Sequence, residues 1–408
     1  MATTKTTAVM LLLAWLLVYY GVVASASQVD VAGDDGVLES ESFCSELMAS
    51  VEDEEDWIAN ELRYTGGQIV DPHLHTAPWF DNADKLVEEL ESANVSIGVL
   101  FNPYPKLAIP YDINEYVTSI AASSQGRVYA LASLNATHDN WDVHRSFEMN
   151  RLAQYLQHPQ VLGTKLAPAN TCLQLTSPIM DDVLQVIGQS DKKLLALHIG
   201  TTLFCGPLGA QFGIECCCTP EYVNPALLIP QIERYPDIQF LLLHSGHEFL
   251  PADSPFYHNF TFVDQAIQMA RQYENVWLSL SAMFANHDDG RLKYPGGVRN
   301  LQAMKQANVA HKVFWASDAS WKQGQIRTVL QTSIRAMIQA GFTPQERAWT
   351  LNGCARHVFG IPTTTATTRQ QPPFLRRWIH WWQQRKENLT SFVDSIRASR
   401  LGIVVTKL

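Results

Sequence analysis

The 408-residue sequence has little basic charge, and this shortage excludes some functions. It holds 30 lysines and arginines against 40 aspartates and glutamates, which gives a formal net charge of −10. Nucleic-acid binders usually carry a basic face, so the acidic balance argues against a nucleic-acid partner. Charged residues make up only 17% of the chain and hydrophobic residues 46%, which excludes a disordered or fibrous protein and supplies a large core.

Beyond its N-terminus the sequence lacks any apolar run of about 18 residues, so no stable membrane insertion is expected of the remaining chain. The single long run, residues 8–23, follows Lys5 and precedes the small residues 24–26. This order predicts a secretory signal peptide over residues 1–26, with an uncleaved signal anchor as the alternative. The predicted location is therefore outside the cell or in the lumen of the secretory pathway.

Cysteines are few, and their number, seven, is odd. In an oxidising compartment most should pair, which leaves at least one thiol free or intermolecular. The triplet at 216–218 lacks the two-residue spacing of a zinc knuckle, so disulfides to Cys172 or Cys205 are predicted instead. Four N-x-S/T sequons agree with a secreted glycoprotein. They lie at Asn94, Asn135, Asn259 and Asn388.

Short apolar runs rich in Val, Ile and Leu alternate with longer amphipathic segments from Gly67 onward. Such strands, buried on both faces and separated by helices, indicate an α/β protein with a parallel sheet. Eight units predict a (β/α)8 TIM-type barrel over residues 67–361, while the missing glycine-rich turn disfavours a doubly wound sheet. The predicted strands are 68–70, 96–101, 128–134, 161–166, 194–198, 238–244, 276–280 and 313–316.

Three segments fall outside this repeat. Residues 27–66 are acidic and predict either a helix with a solvated face or a loose leader. Residues 199–221 form an insertion after the fifth strand and hold four of the cysteines. Residues 362–408 predict a linker and a Trp-rich C-terminal helix. That helix could pack on its own barrel, on a second subunit in a homodimer, or on a membrane surface.

Histidine and aspartate side chains follow four of the predicted strands. Because alternate residues of a strand point the same way, two histidines of the first strand both face the barrel mouth. Catalytic groups of such barrels lie at the carboxyl ends of the strands. Neutral imidazoles with a carboxylate are ligands for a divalent transition metal, and zinc is the expected ion. The residues are His73, His75, His198, His244 and Asp318.

Six motifs give the sequence a resemblance to a known family. Between Gly67 and Ile361 it resembles the amidohydrolase superfamily, in the amidohydrolase-related branch that includes aminocarboxymuconate-semialdehyde decarboxylase, resorcylate-type decarboxylases and small hydrolases. The motifs are VDPHLH at 70–75, LGTKLAP at 162–168, LALHIG at 195–200, LLHSGH at 242–247, WASDAS at 315–320 and LNGCARHVFGI at 351–361. The last resembles the closing helix of the family, which packs under the barrel.

The resemblance implies roles for individual residues. The family's metal ligands fall on His73, His75, His198 and Asp318. His244 falls on the histidine that lies beside the metal and acts as acid and base or activates water. Asp318 would be both a ligand and a general base.

Two positions bear on the substrate. Lys165 ends the fourth strand, where some superfamily members carry a carboxylated lysine that bridges two metals; pairing with an anionic substrate is the other role that the resemblance allows. Trp321 follows the eighth strand as a substrate-binding candidate. The family pattern often has histidine where this chain has Ala167, and an aromatic residue and proline after Asp318. These departures fall in the substrate pocket and leave the substrate open.

The resulting hypothesis is a secreted metal-dependent hydrolase that activates water to cleave a C–N or C–O bond of a small molecule. A non-oxidative decarboxylase on the same scaffold is the alternative, and it requires a cation such as Lys165 or Arg299 to hold a carboxylate. A secreted binding protein without catalysis is the third interpretation. The same metal ligands serve both enzymes, so the ligands do not separate them.

Overall fold

The computed structural model describes residues 54–75, 82–102, 112–134, 141–202, 217–248, 261–281, 296–319 and 323–362. The chain divides into two units, Met1–Trp57 and Ile58–Leu408; apart from the first turn of one helix, the architecture lies in the second unit. The predicted signal peptide, the C-terminal segment and most of the acidic leader lie outside the described residues. In the described part, every helix is too short or too polar to cross a membrane.

Eight parallel strands form one sheet in the order of the sequence, which confirms the predicted (β/α)8 barrel. A parallel bridge between Leu74 and Ala319 joins the segment after the last strand back to the first strand. The strands are nearly continuous runs of buried residues, as expected when both faces are covered. They are β1 (Val70–His75), β2 (Ile97–Phe101), β3 (Val128–Ser133), β4 (Val161–Leu166), β5 (Leu194–His198), β6 (Gln239–Leu243), β7 (Val276–Ser279) and β8 (Val313–Phe314).

Helices connect the strands, and their starts follow local sequence signals. Asn82 and Asp112 each accept hydrogen bonds from backbone N–H groups of the first turn that follows them. The helices are α1 (Glu54–Tyr64), α2 (Ala83–Ser92), α3 (Ile113–Ser123), α4 (Trp141–Leu156), α5 (Pro168–Thr171), α6 (Pro178–Gln189), α7 (Pro220–Val223), α8 (Ile229–Arg234), α9 (Val263–Gln272), α10 (Gly296–Gln306), α11 (Gln325–Gln339), α12 (Pro344–Ala348) and α13 (Cys354–Phe359).

Several strands differ from the prediction by one residue at an end, and the larger differences lie in the first and last strands. The first strand begins at Val70 rather than at residue 68 and continues to His75. The eighth is only two residues long and ends before Ala316. The amphipathic segment before the sixth strand forms a 3-10 turn (Pro225–Leu228) followed by α8 rather than one helix, because Pro230 has no N–H to continue the hydrogen-bond ladder.

The end of the barrel opposite the strand carboxyl ends is closed by α13. Cys354, Ala355 and Phe359 of this helix pack against inward-facing strand residues such as Val70 and Phe314. This confirms the predicted position of the closing motif. It also leaves the carboxyl ends of the strands as the open end of the barrel.

The N-terminal helix α1 is anchored to the barrel by a buried ion pair. Glu61 accepts hydrogen bonds from Nε and Nη2 of Arg347 at 2.9 and 2.6 Å, and both side chains are buried. Ile58, one turn earlier, is also buried. This part of the predicted acidic leader therefore packs as a structural helix.

Candidate active site

Three donor atoms converge at the open end of the barrel. His73 and His75 lie two residues apart on β1, so both rings face the mouth, and their Nε2 atoms are 3.1 Å apart. Oδ1 of Asp318 lies 2.7 Å from Nε2 of His73 and 2.9 Å from Nε2 of His75. These residues form the group in the described chain that could hold a metal ion. The His75 and Asp318 side chains are 15% and 19% exposed, so the cluster is reachable from the mouth.

Asp318 reaches this cluster because the chain turns sharply after β8. Its φ of 57° lies in the left-handed region, which aspartate tolerates better than most residues. Its N–H donates to the His73 carbonyl at 3.0 Å. The backbone therefore fixes the carboxylate against the two β1 histidines.

The three donor atoms fit a single divalent ion. Tetrahedral ligands at zinc distances lie about 3.3 Å from one another, close to the separations here. Burial lowers the pKa of His73 to about 4, so the ring is neutral at pH 7. Burial alone would raise the pKa of Asp318, but contacts with His73 and His75 hold it well below its usual value. Neutral imidazole and ionised carboxylate are the forms that coordinate metals.

His198 lies near this cluster but outside the group of converging atoms. Its ring centroid is 4.3 Å from that of His244, and its Nε2 lies 3.1 Å from the carbonyl oxygen of Thr201. A carbonyl only accepts, so Nε2 carries the proton and Nδ1 carries the lone pair. Burial lowers the pKa of His198 to about 3, which keeps the ring neutral.

His244 lies between the β1 and β5 histidines, with its ring centroid 5.1 Å from that of His73. Its Nδ1 lies 3.0 Å from the carbonyl oxygen of Ser281, so Nδ1 is the protonated nitrogen and Nε2 is basic. Its backbone N–H donates to Oγ of Ser281 at 3.2 Å. Burial holds the pKa of His244 well below the ordinary value, and the ring is neutral at pH 7.

Lys165 is the penultimate residue of β4, and its side chain is buried. Its Nζ lies 5.2 Å from the centroid of the Phe101 ring, which also contacts His73 and His75 at 4.7 and 4.9 Å between centroids. The ammonium makes no hydrogen bond to any residue described. Burial lowers the pKa of Lys165 to about 7, although the charge of Asp318 opposes this shift.

The remaining predicted residues have different outcomes. Trp321 lies outside the described residues. Arg299 is exposed on α10, in contrast to the buried Lys165. Cys172, after α5, forms a disulfide with Cys217, which confirms one of the predicted pairings. Cys218 is also disulfide-bonded.

Sequence reasoning did not find three residues that shape this site. Asp71 is fully buried between β1 and the end of β8, and burial raises the pKa of its carboxyl to about 7. Phe101 and Ser281 support the histidine rings. Asp71 has the same strand parity as the two β1 histidines, and this signal could have identified it. Nothing in the pattern marks Phe101 or Ser281, because their roles depend on contacts across neighbouring strands.

Comparisons with known proteins support the fold and the family resemblance. Residues 195–361 match the family described as Amidohydrolase. The solved structure of a Metarhizium anisopliae IDCase in apo form is 13% identical, with a TM-score of 0.50, over 73% of this chain and 98% of that chain. A search of curated proteins found no match.

Two further solved structures are similar at lower scores. A probable 2-pyrone-4,6-dicarboxylic acid hydrolase from Acinetobacter baumannii, with citric acid bound, is 17% identical over 72% of this chain and 99% of that chain, with a TM-score of 0.46. The 2,6-dihydroxybenzoate decarboxylase from Rhizobium is 13% identical over 72% of this chain and 98% of that chain, with a TM-score of 0.48.

Proposed function

We propose that the protein is a metal-dependent hydrolase of a small molecule, a proposal that the match of residues 195–361 to the family described as Amidohydrolase supports. The observation that carries the proposal is the convergence of His73, His75 and Asp318 at the carboxyl ends of the strands. A divalent ion there would supply a Lewis acid that polarises the scissile group and lowers the pKa of a coordinated water toward 7. Zinc is the proposed ion, because it accepts imidazole nitrogen and carboxylate oxygen ligands.

His198 is proposed as a further ligand through Nδ1. Its Nε2–H donates to the Thr201 carbonyl, and this hydrogen bond fixes the tautomer that a metal requires. A second ring nitrogen donating to a backbone carbonyl is the usual arrangement of histidine ligands. A set of three imidazoles and one carboxylate would then surround the ion.

His244 is proposed as the proton carrier of the reaction. Its Nδ1–H is held by the Ser281 carbonyl, so Nε2 is the atom that accepts a proton from water and returns it to the leaving group. The ring is neutral at pH 7, so its Nε2 carries a lone pair. Asp318 is proposed as a general base as well as a ligand, because its carboxylate is ionised and lies beside both β1 histidines.

A second candidate function is non-oxidative decarboxylation, and Lys165 is the observation that favours it. Its buried Nζ has no hydrogen-bond partner among the described residues and lies beside the Phe101 ring that borders the metal cluster. A buried cation of this kind is stabilised by an anion. In this alternative Lys165 binds a substrate carboxylate and holds it near His73 and His75.

The sequence features of secretion complete the proposal. The disulfide between Cys172 and Cys217 supports an oxidising compartment, since such bonds are rare in the cytosol. The proposed protein is therefore a secreted glycoprotein that acts on a small extracellular molecule. N-terminal sequencing of protein from a secretory host should find a mature chain that begins near Ser27.

Metal analysis followed by a substrate screen tests the proposal. The full chain is purified from a secretory host without chelator and is assayed on panels of small esters, amides, lactones and carboxylic acids. We expect about one zinc ion per chain and hydrolysis of at least one compound in the ester, amide or lactone panels. Release of carbon dioxide from a carboxylic acid would favour the decarboxylase. A folded, active protein without metal would contradict both enzymes, and a metal-loaded protein without turnover would favour a binding protein.

A further inference from the structure

The barrel closes where the segment after β8 pairs with β1, and this junction, here called the seam, is irregular. All three converging donor atoms belong to its two sides. His73 and His75 are on β1, while Asp318 follows β8, which has only two regular residues. Backbone hydrogen bonds across the seam run from Asp318 N to the His73 carbonyl at 3.0 Å and from His75 N to the Ala319 carbonyl at 3.1 Å. The separation of the donor atoms is therefore set by how these two segments pair.

The backbone of β1 is itself irregular just before the histidines. Pro72 has no N–H and cannot donate to a neighbouring strand. The register of β1 against β2 shifts between Asp71 and Leu74. Regular ladder bonds between β1 and β2 therefore do not extend through this stretch of β1.

The carboxylate of Asp71 bridges this stretch. Its Oδ1 accepts from the N–H of Ser317 at 3.0 Å and from the N–H of His73 at 3.3 Å. One of these donors is a proposed ligand and the other immediately precedes Asp318. The residue is fully buried, so water does not replace these bonds.

We infer that Asp71 is a positioning residue whose Oδ1 holds the ligand-bearing ends of β1 and β8 together, so that His73, His75 and Asp318 can bind one ion. This inference rests on the proposed metal-dependent function. Asp71 does not contact the ion; it acts through the backbone N–H groups of Ser317 and His73. Partners behind metal ligands usually change affinity by about 10- to 100-fold when they are removed.

Two substitutions at Asp71 separate this role from general stabilisation. Asp71→Ala removes the acceptor and leaves two buried N–H groups unpaired. Asp71→Asn retains an oxygen at the Oδ1 position and changes only Oδ2, which has no hydrogen-bond partner among the described residues. A matched control is Glu61→Ala, which removes a buried carboxylate far from the mouth. If the alanine variant of Asp71 does not fold, Asp71→Leu fills the same space without an acceptor.

The readout is the dissociation constant of Zn²⁺ and Co²⁺, measured on the full chain after the native metal has been removed. The cobalt absorption spectrum reports the geometry of the ligands independently of activity. We expect Asp71→Ala to weaken both affinities by about 10- to 100-fold and to alter the cobalt spectrum. Asp71→Asn should stay close to wild type, and Glu61→Ala should bind metal normally while it melts at a lower temperature.

Four results would overturn the inference. Unchanged metal affinity in Asp71→Ala removes the positioning role while the proposed metal-dependent function stands. If Asp71→Ala and Glu61→Ala lose metal affinity equally, the effect is one of general stability. If Asp71→Asn loses as much metal affinity as Asp71→Ala, the hydrogen bonds accepted by Oδ1 are not the cause. Wild-type protein that binds neither ion contradicts the proposed function, and the inference falls with it.

Discussion

Replacing His244 by asparagine separates proton transfer from metal binding. The His244 backbone has a φ of 63°, in the left-handed region where asparagine is well tolerated. The asparagine amide can donate to the Ser281 carbonyl as Nδ1–H does now. The variant therefore retains the backbone conformation and the anchoring hydrogen bond, and it loses the rest of the imidazole ring with its basic Nε2 atom.

The expected effect follows from this single loss. Acid–base groups contribute about 10²- to 10⁴-fold to rate, so kcat of His244→Asn should fall by roughly 100-fold or more. A 100-fold loss corresponds to about 2.7 kcal/mol in the activation barrier. The metal content should stay at the wild-type level, because the three converging donor atoms belong to His73, His75 and Asp318.

Two measurements on the same preparation decide the outcome. Elemental analysis gives the metal content, and steady-state kinetics on the substrate found by the screen give kcat and KM. A variant that has lost its metal would show that His244 is a ligand, and near-normal turnover would show that it only hydrogen-bonds the end of β7. The comparison variant is Asp318→Asn, which should lose both metal and turnover, since it removes a ligand's charge.

The remaining predictions concern stability and modification. Glu61→Ala should lower the free energy of unfolding by about 3–5 kcal/mol, because it leaves the guanidinium of Arg347 buried without its partner. An unchanged thermal melt contradicts this. Replacing Cys172 and Cys217 with serine opens a link across 45 residues and should cost about 4 kcal/mol in urea denaturation by the loop-entropy relation; coincident unfolding curves argue against it. Asn94→Gln should remove a glycan without changing kcat/KM, because Asn94 is exposed before β2, at the end opposite the mouth. A gel-mobility shift and a kinetic assay check both parts.

The strands could be predicted from sequence because each is buried on both faces and appears as an apolar run. The ends of the strands were less predictable, because they depend on where hydrogen-bonded pairing with the neighbouring strand stops. The eighth run continues to Ala316, but regular pairing with β7 stops at Phe314 and the chain then turns toward β1. The split before α8 depended on Pro230, whose missing N–H outweighs the helical pattern of its neighbours.

The site was predictable to the extent that strand ends determine it. His73, His75 and Asp318 lie together because strand parity and the barrel topology bring them to one rim. The orientation of the His198 ring was not predictable, since it depends on the carbonyl of Thr201 in the turn that follows β5. The buried Asp71 carboxylate was missed for a similar reason, because its donors belong to two strands that lie far apart in sequence.

Three residues at the mouth of this barrel have left-handed backbone conformations, which lower the stability of the fold. His244, Ser245 and Asp318 have φ values of 63°, 50° and 57°. Such conformations are unfavourable by about 1–2 kcal/mol for residues with a side chain, and glycine adopts them freely. A selection for thermal stability alone would thus favour glycine at 244 and 318, the positions proposed to carry the chemistry. Stability and activity therefore oppose each other here, and stabilising substitutions are better sought on the helices than at this rim.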